Sequence, residues 1–365
     1  MSDYPLPSEN IFLVKELEGN DGEPPRTIAF SDVDIKPLDF EQLVQARLHE
    51  NITIPLEMFN GKVIDTNIEG VDKSKYAHVR TVLESPFTST VIGLVRGGWL
   101  PSALGAYRGR TVSLIDRNVV TEIVSRFEGG EKKGREPDFL DMFSDQKVRI
   151  NPLLYAMEGN AREIPGPELA KAQLNEVIAK LKAALPKADL QIGPESLKGI
   201  VGLIEDTRTS MGQRQAFLLR LAPSLKAPIA RKHLEQRWDE VLDAADACGV
   251  PPNSLVVLAA LSCVAVPGGA SPAKALLKFK DGYDAGDAYN ALADLRSLEV
   301  LVHIFTIFPD EDVQLCTADK NLALFWTGIR ASNFTRSGPR VSFDLDPVEQ
   351  ILPSHMQDKW RLAMV

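Results

Sequence analysis

Arg110-Thr-Val-Ser-Leu-Ile-Asp116 and Val313-Gln-Leu-Cys-Thr-Ala-Asp319 share one design: a run rich in apolar and β-branched residues, closed by an aspartate. That content suits a strand buried on both faces, as in a parallel sheet covered by helices. A helix is predicted directly after each aspartate, over Asn118 to Phe127 and over Asn321 to Trp326. The pair therefore predicts an α/β fold, a parallel sheet flanked by helices. In such sheets ligands bind beyond the carboxyl ends of the strands. If the two strands are neighbours, Asp116 and Asp319 meet there.

The sequence around these strands is mostly helical. Asn151-Pro152 is a helix start, with Asn as N-cap and Pro at the first position, and launches Leu153 to Glu158. Pro167 opens an amphipathic helix to Leu185, with Leu169, Leu174, Ile178, Leu181 and Leu185 on one side. Further helices are predicted over Thr209 to Leu221, Ile229 to Ala247 and Ser254 to Val264, and another starts at Ser271-Pro272. A last long helix begins at Asp284 or Asp287 and stops before Pro309. Residues 1–105 read as an N-terminal α+β extension, with a turn at Asn20-Asp21-Gly22, strands at Ile11 to Lys15 and Asn51 to Pro55, and a helix over Phe40 to His49. Thr90 to Val95 is a further strand candidate. The domain proper spans 106–345, with a large helical insertion at about 165–275, and 346–365 is a C-terminal tail. Glu128 to Asp138 is expected to be an exposed loop.

Bulk properties narrow the function classes. The chain has 365 residues, 44% hydrophobic and 25% charged, which is ordinary globular composition. Cys248, Cys263 and Cys316 are odd in number and have no partner at zinc-ligand spacing, so a reducing, cytoplasmic setting is expected. The start of the chain lacks a basic segment followed by an apolar one, and the longest apolar run, Leu255 to Pro267, is too short for a bilayer. No membrane partner is expected; an oligomer remains open. The net charge of −9 argues against a protein that grips long nucleic acid nonspecifically.

The predicted helix before the second strand carries Asp287, Asn290 and Asp294 at i, i+3 and i+7, on one face. Its apolar neighbours Leu295, Leu298, Val302 and Phe305 would pack on the sheet. Glu158, ending a short helix, would approach from the other side; Glu122 and Glu163 are alternatives. At about 4 Å and an effective dielectric near 20, a like-charged pair costs roughly 4 kcal/mol. Such a cluster must bind protons or a cation. Oxygen-only ligation, with no His or Cys, suits Mg²⁺ or Mn²⁺. Simpler roles compete: Asp116 and Asp319 as helix N-caps, Asp287 as the charge at its helix start, and Asp294 in an ion pair with Lys278 or Lys280.

At these residues the chain resembles the PIN domain superfamily. The carriers are Leu114-Ile-Asp116-Arg-Asn118-Val-Val, Asp294-Leu-Arg-Ser-Leu-Glu-Val-Leu and Thr317-Ala-Asp319-Lys-Asn-Leu-Ala. The resemblance implies a PIN-like parallel sheet, with the 165–275 block as an insertion. It implies Asp116, Glu158, Asp294 and Asp319 as catalytic and metal-binding acids, with Thr317 as a supporting hydroxyl; Asn118, Asp287 and Asn290 join it as supporting candidates. The activity implied is divalent-metal-dependent endoribonuclease cleavage, with single-stranded RNA as partner and Mg²⁺ or Mn²⁺ as cofactor. A catalytically silent PIN-like binding or assembly module, or another α/β metal-dependent phosphohydrolase, would share the same residues. Val266 to Lys274 lacks the Gly-Lys-Ser/Thr ending of a phosphate loop and reads as a connection between helices. A haloacid-dehalogenase-type phosphatase needs a second aspartate where Asn118 stands.

Overall fold

The Val112–Ile115 and Val313–Thr317 strands lie side by side and parallel, with Val112 opposite Val313 and Ile115 opposite Cys316. Every residue of Val313–Thr317 is buried, as a central strand covered on both faces requires. This computed structural model describes residues 11–16, 24–107, 109–145, 147–338 and 340–363. The central sheet has six strands in the order Asp189–Leu190, Arg149–Asn151, Val112–Ile115, Val313–Thr317, Ile92–Val95 and Gly98–Pro101. The first four are parallel, and the last two form an antiparallel hairpin against Val313–Thr317. The protein is thus mixed α/β, with parallel and antiparallel pairing in one sheet.

Local chemistry explains the helices that position the site. Asp116 caps Arg117–Arg126, its carboxylate accepting from the Val119 N–H at 2.7 Å. Asp284 and Asp287 form a capping box at the start of Ala285–Ile307, and Pro309 follows the helix end. That helix is 23 residues, about 35 Å, and is buried on several faces. It packs between the Val313–Thr317 strand and the Ser196–Leu225 helix. Leu255–Ala265 is buried at all its positions, as expected of a helix apolar all round. Val266 to Lys274 does connect two helices, through Gly268 and Gly269 at positive φ and Ser271 as N-cap. Among the described residues no helix is long and apolar enough to cross a membrane.

Four boundaries differ from the sequence reading. Ile92–Val95 and Gly98–Pro101, placed in the extension by the boundary at 105, belong to the central sheet. Ile92–Val95 joins that sheet through Val313–Thr317, more than two hundred residues ahead, so no local pattern shows that the strand candidate there belongs to it. The start of the 165–275 insertion is a regular crossover: Pro167–Ala184 leads to the Asp189–Leu190 strand, which pairs parallel to Arg149–Asn151. In the C-terminal tail, Val348, Ile351, Leu352, Met356 and Trp360 pack into the main core, so the described residues 346–363 belong to the domain's fold. Within the expected exposed loop, Phe127–Glu128 and Glu131–Lys132 make a small hairpin, and Asp138 is fully buried. It accepts from the hydroxyls of Thr88 and Thr90 and from two backbone N–H groups. The Asn20-Asp21-Gly22 turn lies outside the described residues.

The N-terminal sheet is built on the long Thr53–Thr66 strand, which pairs antiparallel with Thr27–Ser31, Asp34–Ile35 and Tyr76–Glu84; Phe12–Lys15 adds to Thr27–Ser31. Ile28, Phe30, Val33, Met58 and Val63 form its own small core. Leu38, Phe40, Leu43, Ile54 and Leu56 instead join the main core. The junction is a backbone bridge between Leu38 and Trp99, closed by N–H to carbonyl bonds of 2.9 and 3.0 Å. Gly98 permits it: a Cβ there would stand 2.0 Å from the Leu38 carbonyl oxygen. The obstacle is backbone, which cannot swing aside. Gly98→Ala is therefore expected to cost about 1–3 kcal/mol. A urea titration checks this; an unchanged midpoint would show that the junction yields freely.

Candidate functional site

Parallel pairing carries the chain past Ile115 and Thr317 at the same edge of the sheet, so Asp116 and Asp319 emerge there together. Thr317 ties them. Its fully buried hydroxyl accepts from the Asp319 N–H at 3.1 Å and bonds the Asp116 carboxylate. Asp319 caps Lys320–Ile329, accepting from the Asn321 and Leu322 N–H groups at 2.7 and 3.2 Å. Both aspartates are thus N-caps; Asp116 also lines a cleft at this edge, whereas Asp319 does not line it and acts there through its charge. Asp294 comes from the middle of Ala285–Ile307, and Glu158 ends Leu153–Glu158. Asp116, Glu158 and Asp294 line one small cleft with Leu154, Met157, Arg296 and Leu322. Its free volume, about 20 Å³, is enough for one water or ion.

The four carboxylates share one electrostatic field. Burial, then the charge of Asp319, pushes Asp294 up to about 8; Asp116 and Glu158 add to the push while Lys278 opposes it. Burial lifts Asp116 to about 6, against the bonds from Val119, Thr317 and Asn118, with Asp319 again raising it. Glu158 is raised by burial and by Asp116, and restrained by Arg117 and Arg296. At neutral pH and without a cation, Asp294 therefore holds a proton. Among the described residues, no three Asp, Glu, His or Cys side chains stand in an arrangement that would itself enclose an ion.

The supporting candidates divide. Thr317 belongs to the site. Asn118 contributes its backbone N–H to Asp116 while its side chain is exposed. Asp287 does not join: it closes the capping box and pairs with Lys280 at 2.8 Å, which holds its carboxyl below the ordinary range. It sits about 10 Å from Asp294 along the helix axis, so sharing a face does not bring the two together. Asn290, one turn before Asp294, is exposed. The alternatives to Glu158 are engaged elsewhere or exposed. Glu122 pairs with Arg126 and Arg135, and Glu163 faces solvent. The ion pair considered for Asp294 is absent among the described residues, since Lys280 is taken by Asp287 and Lys278 acts only through space.

Three residues that the sequence reading passed over surround Glu158. Arg117 stacks on the Tyr155 ring at 3.9 Å and donates to the Gln173 side chain at 2.6 Å. Arg296 is only 4% exposed and donates to the Met157 carbonyl at 2.5 Å. Tyr289 donates its hydroxyl to the Glu158 carbonyl at 2.6 Å. One signal was available: an arginine between Leu295 and Leu298, on a helix that packs on the sheet, is an unusual charge that needs a partner. No known family matches the sequence, and comparisons with characterised proteins and with solved structures likewise find no match.

Proposed function

We propose that this protein is a divalent-metal-dependent endoribonuclease of PIN type, with Asp116, Glu158, Asp294 and Asp319 as its acidic centre. The observation that carries this reading is the delivery of Asp116 and Asp319 by adjacent parallel strands into the field of Asp294 and Glu158. The donor set suits Mg²⁺ or Mn²⁺: every candidate ligand is a carboxylate, with no His or Cys. Among the described residues, Asp294 and Glu158 have no side-chain hydrogen bonds that would have to break for them to turn onto an ion. A bound dication supplies charge for a phosphodiester oxygen and a more acidic water. The chain's own residues do the rest. Asp116 and Asp319 are held rigid by their capping bonds and by Thr317, while Asp294 and Glu158 are free to adjust. To hold the ion, Asp294 would have to give up its proton. The net charge of −9 favours short contacts with single-stranded RNA over a long duplex.

The test is a time course on mixed-sequence single-stranded RNA with Mn²⁺ and with EDTA. Cleavage that needs the ion supports the reading. Metal binding without cleavage would move the protein to a silent binding or assembly module, and hydrolysis of small phosphoesters alone to another phosphohydrolase. A second expectation concerns stability. Ion binding to the folded state alone adds about 2.7 kcal/mol at a hundred times the dissociation constant. Mg²⁺ or Mn²⁺ should therefore raise the melting temperature, and less so in Asp319→Asn. An equal response in both proteins would place the ion elsewhere.

A further inference from the structure

The end of the Leu153–Glu158 helix is held from outside. The last carbonyls of a helix have no partner within it. Gly159, its C-cap, sits at φ +70, and among the described residues no capping bond closes this end. Two side chains of Ala285–Ile307, the helix that bears Asp294, take over. Arg296 donates to the Met157 carbonyl at 2.5 Å, and Tyr289 donates to the Glu158 carbonyl at 2.6 Å. Tyr289 and Arg296 are seven residues apart, on the same face of that helix. The Arg296 guanidinium lies against the Tyr289 hydroxyl, and its positive charge favours the ionised form of Glu158. Arg296 also lines the acidic cleft, and among the described residues its buried Nη1 has no hydrogen-bond partner. A buried guanidinium with an unused donor is expensive, which argues that it is kept for the site and not for packing.

We infer that Tyr289 and Arg296 are positioning residues, a two-point clamp that fixes the backbone of Glu158 relative to Asp294 so that both carboxylates address one cation. This rests on the metal-site reading of the cleft. The clamp explains why Glu158, at the end of a six-residue helix before a turn, can serve a site whose other acids come from the sheet edge and a long helix. It leaves Asp116 and Asp319 untouched, because their capping bonds and Thr317 hold them independently.

The experiment is titration of Mn²⁺ into the full chain by calorimetry, for wild type, Tyr289→Phe, Arg296→Gln and Arg296→Lys, beside a melting curve of each. Groups that orient metal ligands typically contribute 10- to 100-fold in affinity. Tyr289→Phe should fold and bind about 10-fold more weakly. Arg296→Gln should lose about 10- to 100-fold. Arg296→Lys, which keeps the charge and one donor for the Met157 carbonyl, should recover much of that loss. A purely structural role would lower melting temperatures without moving the affinity. Wild-type affinity in folded Tyr289→Phe and Arg296→Gln overturns the clamp alone. A wild type that binds no Mn²⁺ overturns the metal-site reading beneath it.

Discussion

Asp116→Asn and Asp294→Asn are each expected to lower the rate of metal-dependent RNA cleavage by at least about a hundredfold, roughly 2.7 kcal/mol of transition-state stabilisation. Asparagine keeps the shape of aspartate and removes the charge that holds the ion. At position 116 it also keeps an oxygen for the Val119 N–H, so the helix cap survives. The loss should therefore appear in activity and not in folding. Circular dichroism and melting curves establish that each variant is folded, and a time course with Mn²⁺ measures the rate. Asp287→Asn is the control, because Asp287 is bound to Lys280 and to its own helix start. Cleavage that persists in both site variants, or in EDTA, would assign the activity to another site or another protein.

The parts of this site that lay in the sequence are those made by local pattern. Asp116 and Asp319 were legible because strand, aspartate and helix follow one another directly, and hydrogen bonding between neighbours fixes such units. Asp294 was legible as a carboxylate inside a largely apolar helix. What was not legible depends on contacts between distant segments. The Ile92–Val95 strand joins the central sheet only through Val313–Thr317. The bonds from Tyr289 and Arg296 reach 131 and 139 residues back, to an otherwise unremarkable helix end. Helical periodicity also misled in one respect. It put Asp287, Asn290 and Asp294 on one face, whereas that helix lines the cleft with Ala293, Asp294, Arg296 and Ser297.

Asp294→Asn is also expected to make the metal-free protein more stable above about pH 8, and to flatten its dependence on pH. In the folded chain Asp294 is pushed up to about 8 and Asp116 up to about 6. In the unfolded chain an aspartate titrates near 3.9. The folded state therefore holds more protons than the unfolded state between these limits. The stability tied to those protons is fully present below about pH 4, and is lost as pH rises through about 6 for Asp116 and about 8 for Asp294. Each unit of difference is worth about 1.4 kcal/mol, and partial exposure of Asp294 to solvent reduces it. A gain of at least about 1 kcal/mol for the variant at pH 8.5 is a conservative expectation. At pH 5, only about one unit above the unfolded value, most of that loss has yet to develop, so the gain for the variant should be much smaller than at pH 8.5. Carboxylates held low by ion pairs, such as Glu57 at about 2, are unchanged by the substitution and cancel in the comparison. Urea unfolding in EDTA at pH 5 and 8.5 reads the effect, and added Mg²⁺ at pH 8.5 should reverse the order by stabilising the wild type alone. A variant that is no more stable than the wild type at pH 8.5 would mean that Asp294 pays no electrostatic penalty there. The repulsion that calls for a cation would then be missing from this cleft.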